Sequence, residues 1–200
     1  MDRKVIWVGV GSLLVILVGI ALAVVFARPP SFLGTSYDPI PAPEIDMPLA
    51  DGSQFRLSDH RGRVVLIFFG YTYCPDVCPI TLANMKQVVT ELGADAERVQ
   101  VVFVTMDPDR DTPERTQEYV SRFHPSFLGL SGPIEELGKI WGDYGAYREL
   151  SPVDENGNYL VTHSSRLTVI DTHGDLRLSF PFETPWQDVL HDVRLLLAEE

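Results

Sequence analysis

Residues 64–79 read Val64-Val65-Leu66-Ile67-Phe68-Phe69-Gly70-Tyr71-Thr72-Tyr73-Cys74-Pro75-Asp76-Val77-Cys78-Pro79, and their pattern decides the fold class. The first six are β-branched, aliphatic or aromatic with no polar interruption, as in a strand buried on both faces of a helix-flanked sheet. Ile80 to Leu92 then carries Leu82, Met85, Val88, Val89 and Leu92 at helical spacing and stops at Gly93, so a helix follows the strand. Cys74 and Cys78, the only two cysteines in the chain, fall at that junction. Sites in open α/β sheets form at the carboxyl ends of strands. A helix N-terminus adds unpaired N–H donors and a positive dipole end, both of which favour thiolate over thiol.

Working outward, Val99 to Met106 is a second buried strand, and Asp111-Thr112-Pro113-Glu114 is a helix start. Asp111 or Thr112 caps it, Pro113 sits in the first turn, and Glu114 suits the positive end of the dipole. Phe127 to Leu130 reads as a short strand and Pro133 to Trp141 as a helix. Asn156-Gly157 is a hairpin signal joining a strand near Ala146–Leu150 to one near Tyr159–Thr162. Arg166–Ile170 and Leu176–Phe180 pair around His173-Gly174-Asp175, and Thr184-Pro185 opens a last helix running to about Ala198. Upstream, Met47 to Leu57 turns back on itself at Asp51-Gly52. The order, βαβα and then ββα, is that of a thioredoxin-like α/β fold.

The N-terminal region is different in kind. Val5 to Phe26 holds no charged side chain, and a helix of that length rises about 33 Å, enough to cross the hydrocarbon core of a bilayer. Arg3 and Lys4 precede it, so the tail stays cytoplasmic and the rest lies on the extracytoplasmic side. The competing reading is a cleavable signal peptide with Ala21-Leu22-Ala23 as its small-residue site; the run is longer than secretory h-regions of about 7–15 residues. The expected organisation is a tail and transmembrane anchor over 1–27, a proline-rich tether over 28–43, and a thioredoxin-like domain over 44–200. A net charge of −12 argues against nucleic acid as a partner, because phosphate contacts need clustered Lys and Arg.

Cysteines at i and i+4 lie about 5–6 Å apart at Cβ on a helical turn, where two thiolates grip one metal ion. Dithiol oxidoreductases generally use a two-residue spacer, yet a disulfide between Cys74 and Cys78 remains open. Two soft sulfurs favour Cu(I), an added imidazole also suits Cu(II), and structural zinc would ask for four ligands. His60, His124, His163, His173 and His191 are all candidates for that imidazole. Thr72 lies near Cys74 as in thiol peroxidases, but at a spacing one residue short, and reads as packing.

These segments together resemble the Sco (SenC-type) family of copper proteins that assist cytochrome c oxidase assembly. The likeness rests on Gly70 to Pro79, on Asp107-Pro108-Asp109-Arg110-Asp111-Thr112-Pro113-Glu114, and on His163-Ser164, and covers roughly residues 42–198. It implies a thioredoxin-like fold with an inserted β-hairpin turning at Asn156-Gly157, and copper ligands at Cys74, Cys78 and His163. It further implies a membrane-anchored metallochaperone. Such a protein delivers copper to the binuclear centre of oxidase subunit II or a related copper-site protein, or reduces that centre's cysteines. A thiol–disulfide oxidoreductase is the alternative activity. Asp107 is a possible supporting residue or docking contact. Many members carry Asp before the histidine where this chain has Thr162, which leaves the tuning of the imidazole open.

Overall fold

The computed structural model describes residues 16–20 and 31–199. Residues 16–20 are helical. The rest of the expected span over Val5–Phe26 lies outside the described residues, and among those no helix is long and apolar enough to cross a membrane. From Phe32 onward the chain is one compact unit.

At its centre is β4 (Val64–Gly70), buried at every position as its unbroken apolar run requires. It pairs in parallel with β5 (Val99–Thr105), equally buried, from Val64↔Val99 to Gly70↔Thr105. Its other edge pairs antiparallel with β9 (Leu167–Ile170), which pairs antiparallel with β10 (Asp175–Phe180). β6 (Leu128–Leu130) and β1 (Thr35–Pro41) complete a sheet of order β1-β10-β9-β4-β5-β6. Four helices accompany it: α1 (Val77–Leu92), α2 (Pro113–Ser121), α3 (Ile134–Asp143) and α4 (Trp186–Ala198). α1 packs on α4, and α2 on β6. Two hairpins stand outside the main sheet, β2 (Asp46–Pro48) with β3 (Gln54–Arg56), and β7 (Arg148–Leu150) with β8 (Val161–His163). The second is the hairpin expected around Asn156-Gly157, whose Gly157 takes φ 82° and donates to the Asp154 carbonyl at 3.0 Å.

Two local expectations change and one resolves to a single residue. α1 begins at Val77 rather than Ile80, because Pro79 falls in the first turn, where no intrahelical N–H is missed. Cys78 is therefore helical and Cys74 is not, so the two do not share a helical turn. Of the two candidate caps for α2, Thr112 serves, accepting from the Arg115 N–H at 3.2 Å. Finally, Thr35–Pro41, assigned to the tether, is an edge strand on β10 with an irregular register between Ser36 and Ile40. Prolines are tolerated at such an edge because one side of the strand needs no donors.

A buried carboxylate fixes where that strand starts. Asp192 on α4 is 0% exposed and accepts the Leu33 N–H at 2.9 Å, the Gly34 N–H at 2.8 Å, and His191 Nδ1 at 2.8 Å. Asp192→Ala is expected to lower stability by about 1.5–3 kcal/mol in urea unfolding, as loss of charge-assisted bonds does. Limited proteolysis should then cut within residues 32–41 before the sheet; unchanged protection there would contradict the clasp.

Candidate metal centre

The site grows from the end of β4. Gly70 accepts the Met106 N–H at 2.6 Å, which locks the strand end to the chain leaving β5. The chain then turns, with the Cys74 N–H donating to the Tyr71 carbonyl at 3.2 Å, and enters α1. Cys74 is half-buried and Cys78 is 0% exposed; both are free thiols. The Cys78 N–H, in the first turn of α1, donates to Cys74 Sγ at 3.4 Å, so the helix start holds the outer sulfur.

β8 brings His163 to the inner sulfur, with Nε2 at 3.9 Å from Cys78 Sγ. Nδ1 lies 2.9 Å from the Ser164 carbonyl. A carbonyl only accepts, so Nδ1 carries the hydrogen, and in the neutral ring Nε2 presents its lone pair to the sulfurs. The ring stands edge-on to Tyr71, 5.8 Å away at 89°, and to Phe68 at 6.4 Å. Thr162 is exposed, so the ring is oriented by a backbone carbonyl and two aromatic rings, not by a preceding side chain.

The two sulfurs are electrostatically unlike. The Cys78 thiol, helped by the Asp76 and Cys78 N–H groups, holds Cys74 far below the ordinary thiol range, at about 4, against an upward push from partial burial. Its proximity to the Cys74 thiolate, together with burial, pushes Cys78 strongly up. The pair thus keeps one proton, on the inner sulfur, and forms a hydrogen-bonded thiolate–thiol–imidazole cluster. Among the described residues no group of three or more His, Cys, Asp or Glu stands assembled to hold a metal ion. The Cys78–His163 pair nevertheless has the reach for one: bonds of about 2.3 Å to sulfur and about 2.0 Å to nitrogen span the 3.9 Å between Cys78 Sγ and His163 Nε2. A cavity of about 290 Å³ opens over the cluster, lined by Tyr71, Cys74, Pro75, Leu160, Val161 and His163.

The other histidines are elsewhere. His60 stacks on Phe55 at 4.8 Å, His124 bonds Ser126 at 2.8 Å, His173 follows the Asp171 turn, and His191 contacts Asp192. Thr72 does not address a cysteine: its hydroxyl and N–H both go to Asp111, at 2.5 and 2.9 Å. Asp107, the expected supporting residue, is 0% exposed and bonds Tyr159 and Arg110 without touching either sulfur or the imidazole. Asp111, read only as a possible cap, is an equally buried anchor of the cysteine turn, and burial raises its carboxyl above the usual range. Tyr159 carried no sequence signal, since its role depends on a contact made across a long loop.

A thioredoxin-like domain with a dithiol at its strand-to-helix turn, and an imidazole supplied by an inserted hairpin, defines a class of thiol–imidazole proteins. Within that class, residues 46–198 match SCO1/SenC, and the chain belongs to this family. It is 40% identical over 132 residues to the protein SCO2 homolog, mitochondrial, of Bos taurus, a match covering 60% of this chain and 50% of that protein. The chain thus spans about half the length of such mammalian relatives. The apo Sco1 protein from Thermus thermophilus superposes with a TM-score of 0.76 at 38% identity, covering 84% of this chain and 98% of that one. Bradyrhizobium japonicum ScoI with copper bound superposes with a TM-score of 0.72 at 31% identity, covering 79% and 100%.

Proposed function

We propose that this chain is a membrane-anchored copper metallochaperone. Cys74, Cys78 and His163 hold the ion on the extracytoplasmic side, and the cargo goes to the binuclear copper centre of cytochrome c oxidase subunit II or a related copper-site protein. The observation that carries the reading is the imidazole: Nδ1 is committed to Ser164, which leaves Nε2 free and 3.9 Å from Cys78 Sγ. Thiol exchange does not require such a nitrogen donor, whereas a copper site built on two sulfurs gains a ligand from it. The copper-bound relative supports the choice of metal. The half-open position of Cys74 suits release, because an acceptor's ligand can displace the outer sulfur first.

A second reading has one observation in its favour. A depressed, accessible Cys74 beside a protonated, buried Cys78 is also the asymmetry of an attacking and a resolving thiol. In that case the chain reduces the acceptor's cysteines and does not load them.

Copper titration of the reduced full-length chain separates the two. Wild type should bind one ion per chain and show sulfur-to-copper charge transfer in the Cu(II) form. His163→Ala should shift and weaken that band and bind about tenfold more weakly. Full affinity with an unchanged spectrum in the variant would remove His163 from the site. Disulfide reduction without copper binding in wild type would give the second reading the case.

A further inference from the structure

We infer that Asp107-Pro108-Asp109-Arg110-Asp111 is a single brace that sets the spacing between the cysteine turn and the histidine hairpin, with Arg110 as its positioning residue. The inference rests on the copper reading above.

β7 and β8 are only three residues each, too short to hold a position unaided. Several of the hairpin's outside ties converge on this one pentapeptide. Tyr159 donates its hydroxyl to buried Asp107 at 2.7 Å, Arg110 Nη1 donates to the Tyr159 carbonyl at 3.0 Å, and Arg148 on β7 approaches Asp109 at 3.7 Å. The cysteine turn is tied to the same segment from the other side, through the two bonds from Thr72 to Asp111.

Arg110 joins the halves. Its Nε is fixed by Asp107 at 2.5 Å. Its guanidinium carbon lies 3.6 Å from the centroid of the Tyr159 ring and 4.6 Å from that of Tyr73, the residue just before Cys74. A planar cation between two aromatic faces is a spacer whose thickness the chain cannot change, and lysine offers no equivalent plane. The turn bonds from the Arg110 and Asp111 N–H groups to the Asp107 carbonyl, at 3.1 and 2.9 Å, make the brace locally stiff. No atom of it reaches the sulfurs or the imidazole; it acts by holding what does.

Arg110→Ala tests this in the full-length reduced chain, with Tyr159→Phe as a milder variant that removes only the bond to Asp107. In the copper-free protein, amide hydrogen exchange at Val161–His163 should quicken by about tenfold while β4 and β5 amides are unchanged. Copper affinity should fall about fivefold in Arg110→Ala, but hardly change when Arg110→Ala is added to His163→Ala, since the brace then has no imidazole to place. Unchanged exchange at the hairpin in both variants overturns the brace. So does a loss of affinity that persists undiminished without His163. If wild type binds no copper, the copper reading falls, and hairpin exchange still decides the brace.

Discussion

Iodoacetamide at pH 6 is expected to label Cys74 of the reduced, copper-free chain and to spare Cys78, with a selectivity on the order of a thousandfold. Cys74 is half-buried and its thiol titrates at about 4, so it is almost wholly thiolate at pH 6. Cys78 is 0% exposed and holds its proton through the whole accessible range. A thiolate of low pKa is intrinsically a weaker nucleophile, so absolute rate is a poor readout. The profile is the sharper one. The Cys74 rate should stay flat from about pH 6 to 9, where an ordinary thiol gains about tenfold per unit until its pKa near 8.5. The same shift has a signed effect on stability. The depressed Cys74 pKa contributes stability that builds up between about 4 and the ordinary thiol range and is lost as pH falls through about 4, while the raised Cys78 pKa takes stability away above that range. Mass spectrometry of the chain alkylated at each pH checks the selectivity and the rate profile, and urea unfolding across the same pH range checks the stability. Equal labelling, or a Cys74 rate that climbs through pH 8, would show that the outer sulfur is not the thiolate.

That asymmetry was only half legible in the sequence. A dithiol at a strand-to-helix junction follows from the unbroken apolar run of Val64–Phe69 and the helical spacing after Ile80, and these are strong signals because β4 and β5 are buried on both faces. Which sulfur is inner depends on where α1 starts, and Pro75 and Pro79 blurred that boundary by three residues. Proline also misled at Thr35–Pro41, where an edge strand tolerates what a central strand would not. Among five histidines, spacing could not choose His163; the family resemblance did, and the β7–β8 hairpin places it beside Cys78. The Asp107–Asp111 segment was visible as a motif, but its action was not. Its contacts to Thr72, Tyr73 and Tyr159 join loops 37 to 52 positions apart, and no periodicity records them.

Gly70→Ala is expected to damage the site more than its single methyl suggests. A β-carbon at Gly70 would lie 2.9 Å from Cys78 Sγ and 2.6 Å from Phe103 Cε2. The glycine is required by this close approach and not by its backbone angles, since Gly70 is not among the residues with positive φ. Nothing around it yields cheaply. The strand is fixed by its pairing to Thr105 and by the Met106 bond, and Phe103 is 0% exposed between Phe68 and Tyr119, at 6.1 and 5.8 Å. The least confined atom is the sulfur itself, so the methyl should push Cys78 Sγ off its place beside His163. Overpacking of this kind costs about 1–3 kcal/mol of stability. Copper affinity should fall on the order of 100-fold, because such constellations tolerate displacements of only about 0.5 Å. Gly129→Ala supplies the control. Its β-carbon would meet the Thr116 backbone at 2.7 Å under α2, so it should destabilise the fold comparably and leave the affinity of the folded protein intact. If Gly70→Ala binds copper as tightly as wild type with the same charge-transfer band, the inner sulfur is positioned by something other than this contact. If both glycine variants lose affinity alike, the loss reflects the fold and not the site.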